Sequence, residues 1–204
     1  AATHQKITDF SPSWGLDGDN PVNVNWYDAV VYANWLSERA GLETVYEIDS
    51  VGKEQDSWTV VCLEKKNGFR LPTEAEWQYA ATNAGQDTTD YAGSKNSDEV
   101  GWYGENSAID GVYRTHPVAG KKPNGLGLYD LSGNVWEWCL DWYDNYPLGS
   151  PTNPIGPVGG SLRVQRGGSW YSGAVSARVG TRSYSSPYYR LSYDGLRLAR
   201  TVNF

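Results

Sequence analysis

Apolar residues at helical spacing predict a first helix over residues 25–40. The residues that share one face of this helix are Ala29, Val30, Ala33 and Leu36. Asn25 stands where an N-cap side chain accepts a backbone N–H, and Gly41 stands where a helix commonly ends. We therefore expect the chain to contain an amphipathic helix close to its amino terminus.

A second helix is predicted to begin after Pro72. Thr73 and Glu76 have the spacing of a capping box, in which each side chain accepts the backbone N–H of the other residue. Gly85 is the expected stop. The residues predicted to form the buried stripe of this helix are Trp77, Ala80 and Ala81.

Short runs with β propensity surround these helices. Residues 44–48 and 58–63 are rich in β-branched and aromatic side chains and predict a hairpin, and residues 163–170 and 196–200 predict two later strands. Between residues 86 and 160, turn-forming residues alternate with scattered Trp and Tyr, which predicts long loops held down by buried aromatic rings. The pattern indicates an α+β fold with small sheets.

The length of 204 residues suits a single domain over residues 1–204. A formal net charge of -7 argues against partners that present phosphates, so nucleic acid is excluded. The chain has no apolar run long enough to cross a bilayer, and it contains no Met. We expect membrane association only through a lipid anchor on a segment outside this sequence.

The cysteines and histidines predict no catalytic site. Cys62 and Cys139 either form one disulfide or remain two thiols, and Cys139 is expected to be a buried packing residue. His4 and His116 have no second histidine nearby for a metal site or a catalytic triad. Arg70, which precedes the second helix, is expected to pair with a carboxylate or with loop carbonyls.

Five motifs resemble, in order, those of the formylglycine-generating, or sulfatase-modifying, enzyme family. They read NVNWYDAVVYANWL, GFRLPTEAEWQYAA, GLGLYDLSGNVWEWC, RVQRGGSW and GLRLAR. The resemblance implies a C-type lectin-like fold with two helices, small sheets and abundant loops. In the VWEWC motif, Trp136 and Trp138 are expected to be packing residues, with one set of alternating side chains facing the core and the other a loop.

The same resemblance implies a calcium site. Carried over by position, its ligands are the carbonyls of Gly133 and Val135 and the side chain of Glu137, since hard cations prefer oxygen ligands. The alternative is that Glu137 accepts backbone N–H groups. A second calcium site near Asp110 and Val112 is not predicted. We expect no required cofactor, with structural calcium as the one candidate.

This chain lacks the reactive groups on which the chemistry of the family depends. Formylglycine-generating enzymes use a copper-dependent cysteine pair near the carboxy terminus, but residues 166–200 contain no cysteine, and GLRLA stands where the enzymes read GFRCA. We therefore predict no enzymatic activity. The alternatives are an oxidase or a degenerate enzyme of this family, and calcium-dependent carbohydrate binding, for which the sugar-reading motif is absent.

In place of the cysteines, residues 170–195 form a segment rich in Tyr and Ser. This composition is typical of antibody binding loops, although it also fits a surface loop without a ligand. Fixed residues interrupt it at Ala174, Ala177, Arg178, Val179, Arg182, Pro187 and Arg190, which resembles the variable proteins of diversity-generating retroelements.

This resemblance implies fifteen diversified, ligand-binding positions, with Gly180 and Asp194 as secondary candidates. The fifteen are Tyr171, Ser172, Gly173, Val175, Ser176, Thr181, Ser183, Tyr184, Ser185, Ser186, Tyr188, Tyr189, Leu191, Ser192 and Tyr193. The expected function is non-enzymatic binding of a macromolecule, most simply a protein. We expect a monomer located outside the cytoplasm, at a bacterial cell surface.

Overall fold

A computed structural model describes residues 20–21, 23–149 and 151–202. His4 lies outside the described residues. The first helix, α1, spans Trp26–Arg39, and Asn25 caps it in a capping box with Asp28. Leu36 is only partly buried, and Ser37 is buried in its place. The Ser37 hydroxyl donates to the carbonyl oxygen of Ala33 and accepts the N–H of Phe69, which fixes α1 against the short strand that begins at Phe69.

The second helix, α2, spans Glu74–Ala81 and carries the predicted Thr73–Glu76 capping box. It ends four residues before Gly85, because the backbone is already left-handed at Asn83 and Ala84. Ala80 is only partly buried, whereas Trp77 is fully buried. A third helix, the four-residue α3 at Ser97–Val100, was not predicted.

Twelve short strands complete the described part of the chain. They are β1 Tyr46–Asp49, β2 Thr59–Cys62, β3 Phe69–Arg70, β4 Gly101–Trp102, β5 Ala108–Ile109, β6 Val112–Tyr113, β7 Ser132–Gly133, β8 Trp136–Trp142, β9 Arg163–Arg166, β10 Arg182–Ser185, β11 Asp194–Leu196 and β12 Ala199–Arg200. β1 and β2 form the predicted antiparallel hairpin.

The largest sheet has the order β10-β9-β8-β11, in which β11 runs parallel to β8 and the other neighbours are antiparallel. Two-stranded sheets form between β12 and β3, between β4 and β7, and between β5 and β6. The strand predicted over residues 196–200 is divided, because β11 ends at Leu196 and β12 joins a different sheet.

Strand β8 is buried on both faces. Trp138 packs with α1 in one apolar cluster, and Cys139 packs with Trp77 of α2 in another. The expectation that alternate residues of 135–139 face a loop was therefore wrong, because a helix covers each face of the strand. The prediction that Trp136, Trp138 and Cys139 are packing residues is confirmed.

Cys62 and Cys139 are free thiols, which decides between the two possibilities left open by the sequence. Arg70 forms the expected pair with a carboxylate: its Nη1 and Nη2 lie 2.6 and 2.7 Å from the two oxygens of Glu76. None of the helices in the described ranges has the length and hydropathy needed to cross a membrane.

Candidate functional site

The segment of residues 170–195 leaves β9 through two glycines and returns to the same sheet as β11. Gly168 has a φ of +77°, and a Cβ on it would lie 2.8 Å from the backbone nitrogen of Ala177. Only glycine fits this close approach without strain. The RGGSW motif thus brings the segment back tightly against its own sheet.

Main-chain atoms hold the segment to the rest of the fold. Its backbone hydrogen bonds to the framework include Gly104 N to Ser172 O at 2.8 Å, Val179 N to Asp90 O at 2.8 Å, Trp26 N to Pro187 O at 3.1 Å and Trp136 N to Tyr193 O at 2.7 Å. The Ser107 hydroxyl also donates to Trp170 O at 2.7 Å. Because these bonds use the backbone of the segment, they do not depend on which side chains it carries.

Four of the five tyrosines predicted to bind a ligand are exposed. Tyr171, Tyr184, Tyr188 and Tyr189 are 68%, 51%, 46% and 52% exposed, which is high for aromatic rings. In contrast, the fixed residues Ala177, Val179 and Pro187 are buried. Val175 and Gly173 are also exposed.

The remaining predicted positions are less accessible. Those that are partly buried are Ser172, Ser176, Thr181, Ser183, Ser185, Leu191, Ser192 and Tyr193. Ser186 is buried, at 8% exposure, so a ligand on the surface could not touch it directly. Arg178 departs from the pattern in the other direction, since it is a fixed residue that is exposed.

Seven of the predicted positions line one shallow cavity of about 300 Å³. They are Tyr171, Ser172, Ser183, Tyr184, Ser185, Leu191 and Tyr193. The other lining residues are Trp136, Gln165 and Ser169, all of them buried. We call the cavity, together with the exposed residues of the segment 170–195, the Tyr/Ser surface.

Sequence reasoning missed Trp136, Gln165 and Ser169, because they belong to motifs that serve packing. Strand register places two of them here: Gln165 pairs with Ser183 of β10, and Trp136 pairs with Asp194 of β11. Paired residues of neighbouring strands share a face of the sheet. The diversified side chains therefore stand beside residues from fixed motifs.

Contacts between rings order several of the tyrosines. Tyr171 stacks on Tyr193 with centroids 6.2 Å apart, and Tyr188 meets Tyr189 edge to face at 4.9 Å. Tyr184 contacts Tyr143, which lies outside the segment, at 4.4 Å. Rings that are already ordered lose less entropy when a partner covers them.

A buried charge cluster fixes the strand that carries Tyr184. Arg182 in β10 places its Nε and Nη2 at 2.6 and 2.8 Å from the two oxygens of Glu74 in α2. Arg166 in β9 bonds the same carboxylate at 2.8 Å. The guanidinium of Arg182 also lies 3.9 Å from the Tyr146 ring. At the other end of the segment, Arg190 pairs with Asp28 of α1.

Asp194 brings a fully buried carboxyl group to the same face of the sheet as Trp136. Burial raises the pKa of Asp194 to about 7, and the side chain of Gln165 and the backbone at Leu191 offset this only in part. The group is therefore partly protonated at neutral pH. It lies under the Tyr/Ser surface and outside the set that lines its cavity.

The predicted calcium ligands fit an ion poorly as they are arranged. Both oxygens of Glu137 are engaged: Arg197 contacts them at 2.7 and 2.9 Å, and the indole nitrogen of Trp77 donates at 2.7 Å. Glu137 therefore accepts hydrogen bonds from the side chains of Arg197 and Trp77. The sequence had suggested calcium or backbone N–H groups as its partners, and neither alternative anticipated this arrangement. No cluster of three or more His, Cys, Asp or Glu residues suited to a metal occurs in the described ranges. Calcium at Gly133, Val135 and Glu137 stays a prediction that the geometry does not support.

Cys62, Cys139 and His116 have the surroundings of packing residues. Burial raises the pKa of Cys62 to about 11 and that of Cys139 well above its usual range, so neither offers a thiolate at neutral pH. His116 stacks on Trp102 with centroids 3.7 Å apart, and its Nε2 lies 2.9 Å from the carbonyl oxygen of Ser107.

Comparison with known proteins places this architecture in a family. Residues 8–202 match the sulfatase-modifying factor enzyme 1-like domain. The chain belongs to this family. The C-type lectin-like α+β fold expected from the five motifs is therefore confirmed.

Two solved structures are similar to this chain over almost its whole length. Treponema denticola variable protein 1 is 37% identical with a TM-score of 0.81, covering 96% of this chain and 76% of that one. CarF is 32% identical with a TM-score of 0.71, covering 96% and 72%. The predicted likeness to the variable proteins is confirmed by the first of these.

Curated relatives include enzymes. The formylglycine-generating enzyme of Streptomyces coelicolor is 37% identical over 197 residues, which cover 89% of this chain and 52% of the enzyme. The chaperone protein LppX of Paenibacillus barcinonensis is 37% identical over 193 residues, covering 83% and 65%. The chain thus spans about half to two thirds of the length of these relatives.

Proposed function

We propose that this protein binds a macromolecular ligand, most simply another protein, through the Tyr/Ser surface, and that it does so without catalysing a reaction. The observation that carries the proposal is the division of labour in residues 170–195. Backbone atoms and buried fixed residues hold the segment, while four of its tyrosines are exposed to solvent. Such a segment can change its exposed side chains without losing its fold.

The chemistry of the exposed residues supports a protein partner. Tyr presents a large amphipathic ring with few rotatable bonds, and Ser supplies adaptable hydrogen bonds. Tyrosines near the centre of an interface commonly carry much of its binding energy. The cavity between Tyr171, Tyr184 and Tyr193 gives a partner side chain a place to insert.

The resemblance to the variable proteins of diversity-generating retroelements suggests further properties of the protein. We infer that it acts as a monomer outside the cytoplasm, at a bacterial cell surface, and that a lipid anchor is its one means of membrane association. Binding needs no cofactor, and nucleic acid is not a partner because of the net charge of -7.

The binding proposal is tested by diversifying the surface itself. One library varies Tyr171, Ser183, Tyr184 and Tyr193 between Tyr and Ser, Asp and Ala. A matched library varies four exposed positions elsewhere, which are Val112, Tyr113, Val118 and Tyr129. Both are displayed on cells and selected against biotinylated lysozyme and, separately, biotinylated serum albumin.

We expect binders to either probe to come from the first library at clearly higher yield, with unfolding temperatures close to that of the parent. Equal yields from the two libraries would contradict a specialised binding surface. So would a first library in which most members fail to fold.

The second candidate function is cysteine oxidation, which the similarity to formylglycine-generating enzymes favours. Two observations weigh against it: residues 166–200 contain no cysteine, and the thiol pKa values of Cys62 and Cys139 are raised. Purified protein, supplied with copper and oxygen, is incubated with a cysteine-containing peptide and analysed by mass spectrometry. We expect no aldehyde product, and turnover that exceeds that of the Cys62→Ala variant would establish the enzyme.

A further inference from the structure

Arg163 is a buried cation that no carboxylate of the described residues neutralises by an ion pair. It is 6% exposed, and the one hydrogen bond that its side chain makes to a described residue runs from Nη1 to the carbonyl oxygen of Leu140 at 2.5 Å. Its Nε is buried without an acceptor. Buried charges normally have a partner, because removing them from water is costly.

Two tryptophans hold the Arg163 guanidinium in place. It lies 3.7 Å from the ring centroid of Trp26 in α1 and 3.4 Å from that of Trp142 in β8. This sandwich stabilises the cation through the ring faces and leaves the edge of the planar group, where the N–H donors lie, for hydrogen bonds. Burial lowers the pKa of Arg163 to about 9, so it remains charged at neutral pH.

Arg163 lines a cavity of about 150 Å³ that shares no residue with the cavity of the Tyr/Ser surface. Two further donors line it. The Tyr46 hydroxyl accepts the N–H of Leu71 and retains its own hydrogen, because burial raises the Tyr46 pKa. Cys62 likewise keeps its S–H, since its pKa is raised to about 11.

The other walls set the size and charge of a ligand. Ile155, Pro157 and Val158 supply an apolar side, and Glu64 lines the cavity as its one carboxylate. Asp141 acts on the Arg163 charge from a distance, and its own pKa is raised to about 6 by burial. The carboxyl groups of Glu64 and Asp141 disfavour the binding of a dianion such as phosphate. A ligand with a single negative charge matches the single positive charge of Arg163.

We propose that this cavity is a binding site for a small monocarboxylate with a short apolar tail. The carboxylate accepts hydrogen bonds from Arg163, with Tyr46 as a second donor, and the tail lies against Ile155 and Pro157. The volume restricts the ligand to a few carbon atoms. This site is independent of the Tyr/Ser surface, so either proposal can fail without the other.

The test titrates sodium butyrate into the ¹⁵N-labelled full chain and follows the Arg163 Nε–H and the indole N–H signals of Trp26 and Trp142 by NMR. Butan-1-ol and butylammonium chloride are matched probes of the same length. We expect saturable shifts with butyrate at a Kd of about 1 mM or tighter, and binding at least about tenfold weaker for the alcohol and the amine.

Variants separate a built site from incidental packing. Ile155→Trp fills the cavity from its half-exposed wall, and Val118→Trp places the same ring at an equally exposed position elsewhere. We expect only Ile155→Trp to abolish butyrate binding. Arg163→Gln should abolish it as well, with folding checked from the dispersion of the same spectra.

Three results would overturn the proposal. These are the absence of saturable butyrate shifts, equal affinity for butanol, and unchanged butyrate binding by a folded Ile155→Trp variant. The second result would mean that the cavity is merely apolar and that Arg163 serves only to pack between its two tryptophans.

Discussion

Replacing Asp194 with Asn should remove a pH-dependent loss of stability. The carboxyl group of Asp194 is fully buried, and its pKa rises from the ordinary 3.8 to about 7. The folded protein therefore holds a proton that the unfolded chain releases. The contribution of this group to stability is present below pH 3.8 and is lost as the pH rises towards 7.

The magnitude follows from the difference in pKa, which is about 3. At about 1.36 kcal/mol for each pKa unit, the full loss is about 4 kcal/mol. Between pH 5 and pH 7 the loss is about 2 kcal/mol, and between pH 5 and pH 8 it is about 3 kcal/mol, because the unfolded chain is ionised in this range while the folded carboxyl group still keeps part of its proton. Asn is neutral at every pH and nearly the same shape, so the variant should not show this loss.

The assay is urea unfolding, followed by tryptophan fluorescence at pH 5 and pH 8. We expect the free energy of unfolding of Asp194→Asn, relative to the wild type, to increase by about 3 kcal/mol between these two pH values. Asp110→Asn, at an exposed position, is the control and should change little. Parallel pH profiles for Asp194→Asn and the wild type would refute the reasoning.

Three further predictions concern the surface and its supports. Tyr184→Ser should change the free energy of unfolding by less than about 0.5 kcal/mol, because the ring is half-exposed. Ala177→Leu, at a fully buried position, should lower it by about 1–3 kcal/mol. Urea unfolding measures both changes. Glu137→Ala should cost about 3–5 kcal/mol by leaving Arg197 without its carboxylate, and adding calcium to the wild type should not raise its unfolding temperature. Thr73→Ala should lower the free energy of unfolding by about 1 kcal/mol, because the variant lacks the side-chain acceptor at the start of α2. Thr73→Ser keeps a hydroxyl at this position and should retain most of that stability.

Local signals in the sequence were sufficient for the helix starts and for the exposed side chains. Asn25 and Thr73 cap α1 and α2 because capping depends on residues three apart, and the structure contains both caps. A binding role for residues 170–195 requires exposed tyrosine rings, and Tyr171, Tyr184, Tyr188 and Tyr189 are exposed.

Features that depend on pairing over long distances were not accessible in this way. The division of residues 196–200 between two sheets depends on which strands lie beside them, namely β8 and β3. The same holds for the place of Gln165 at the cavity, which results from its register with Ser183. The family resemblance suggested calcium at Glu137, with backbone N–H groups as the alternative, and neither anticipated its partner Arg197, which lies 60 residues away in sequence.

The Arg163 cavity shows a related limit. The motif RVQRGGSW predicts a strand, and nothing in it indicates that its first arginine lacks a carboxylate partner. That property arises only when α1 and β8 bring Trp26 and Trp142 to the two faces of the guanidinium.

The most direct test of a diversified binding surface is deep sequencing of the gene segment that encodes residues 170–195, across many isolates that carry this gene. We predict that amino-acid substitutions concentrate at the fifteen positions named above, and that Ala177, Val179 and Pro187 remain constant. Substitutions spread evenly over the segment, or a segment that does not vary while its flanks do, would contradict the proposed function.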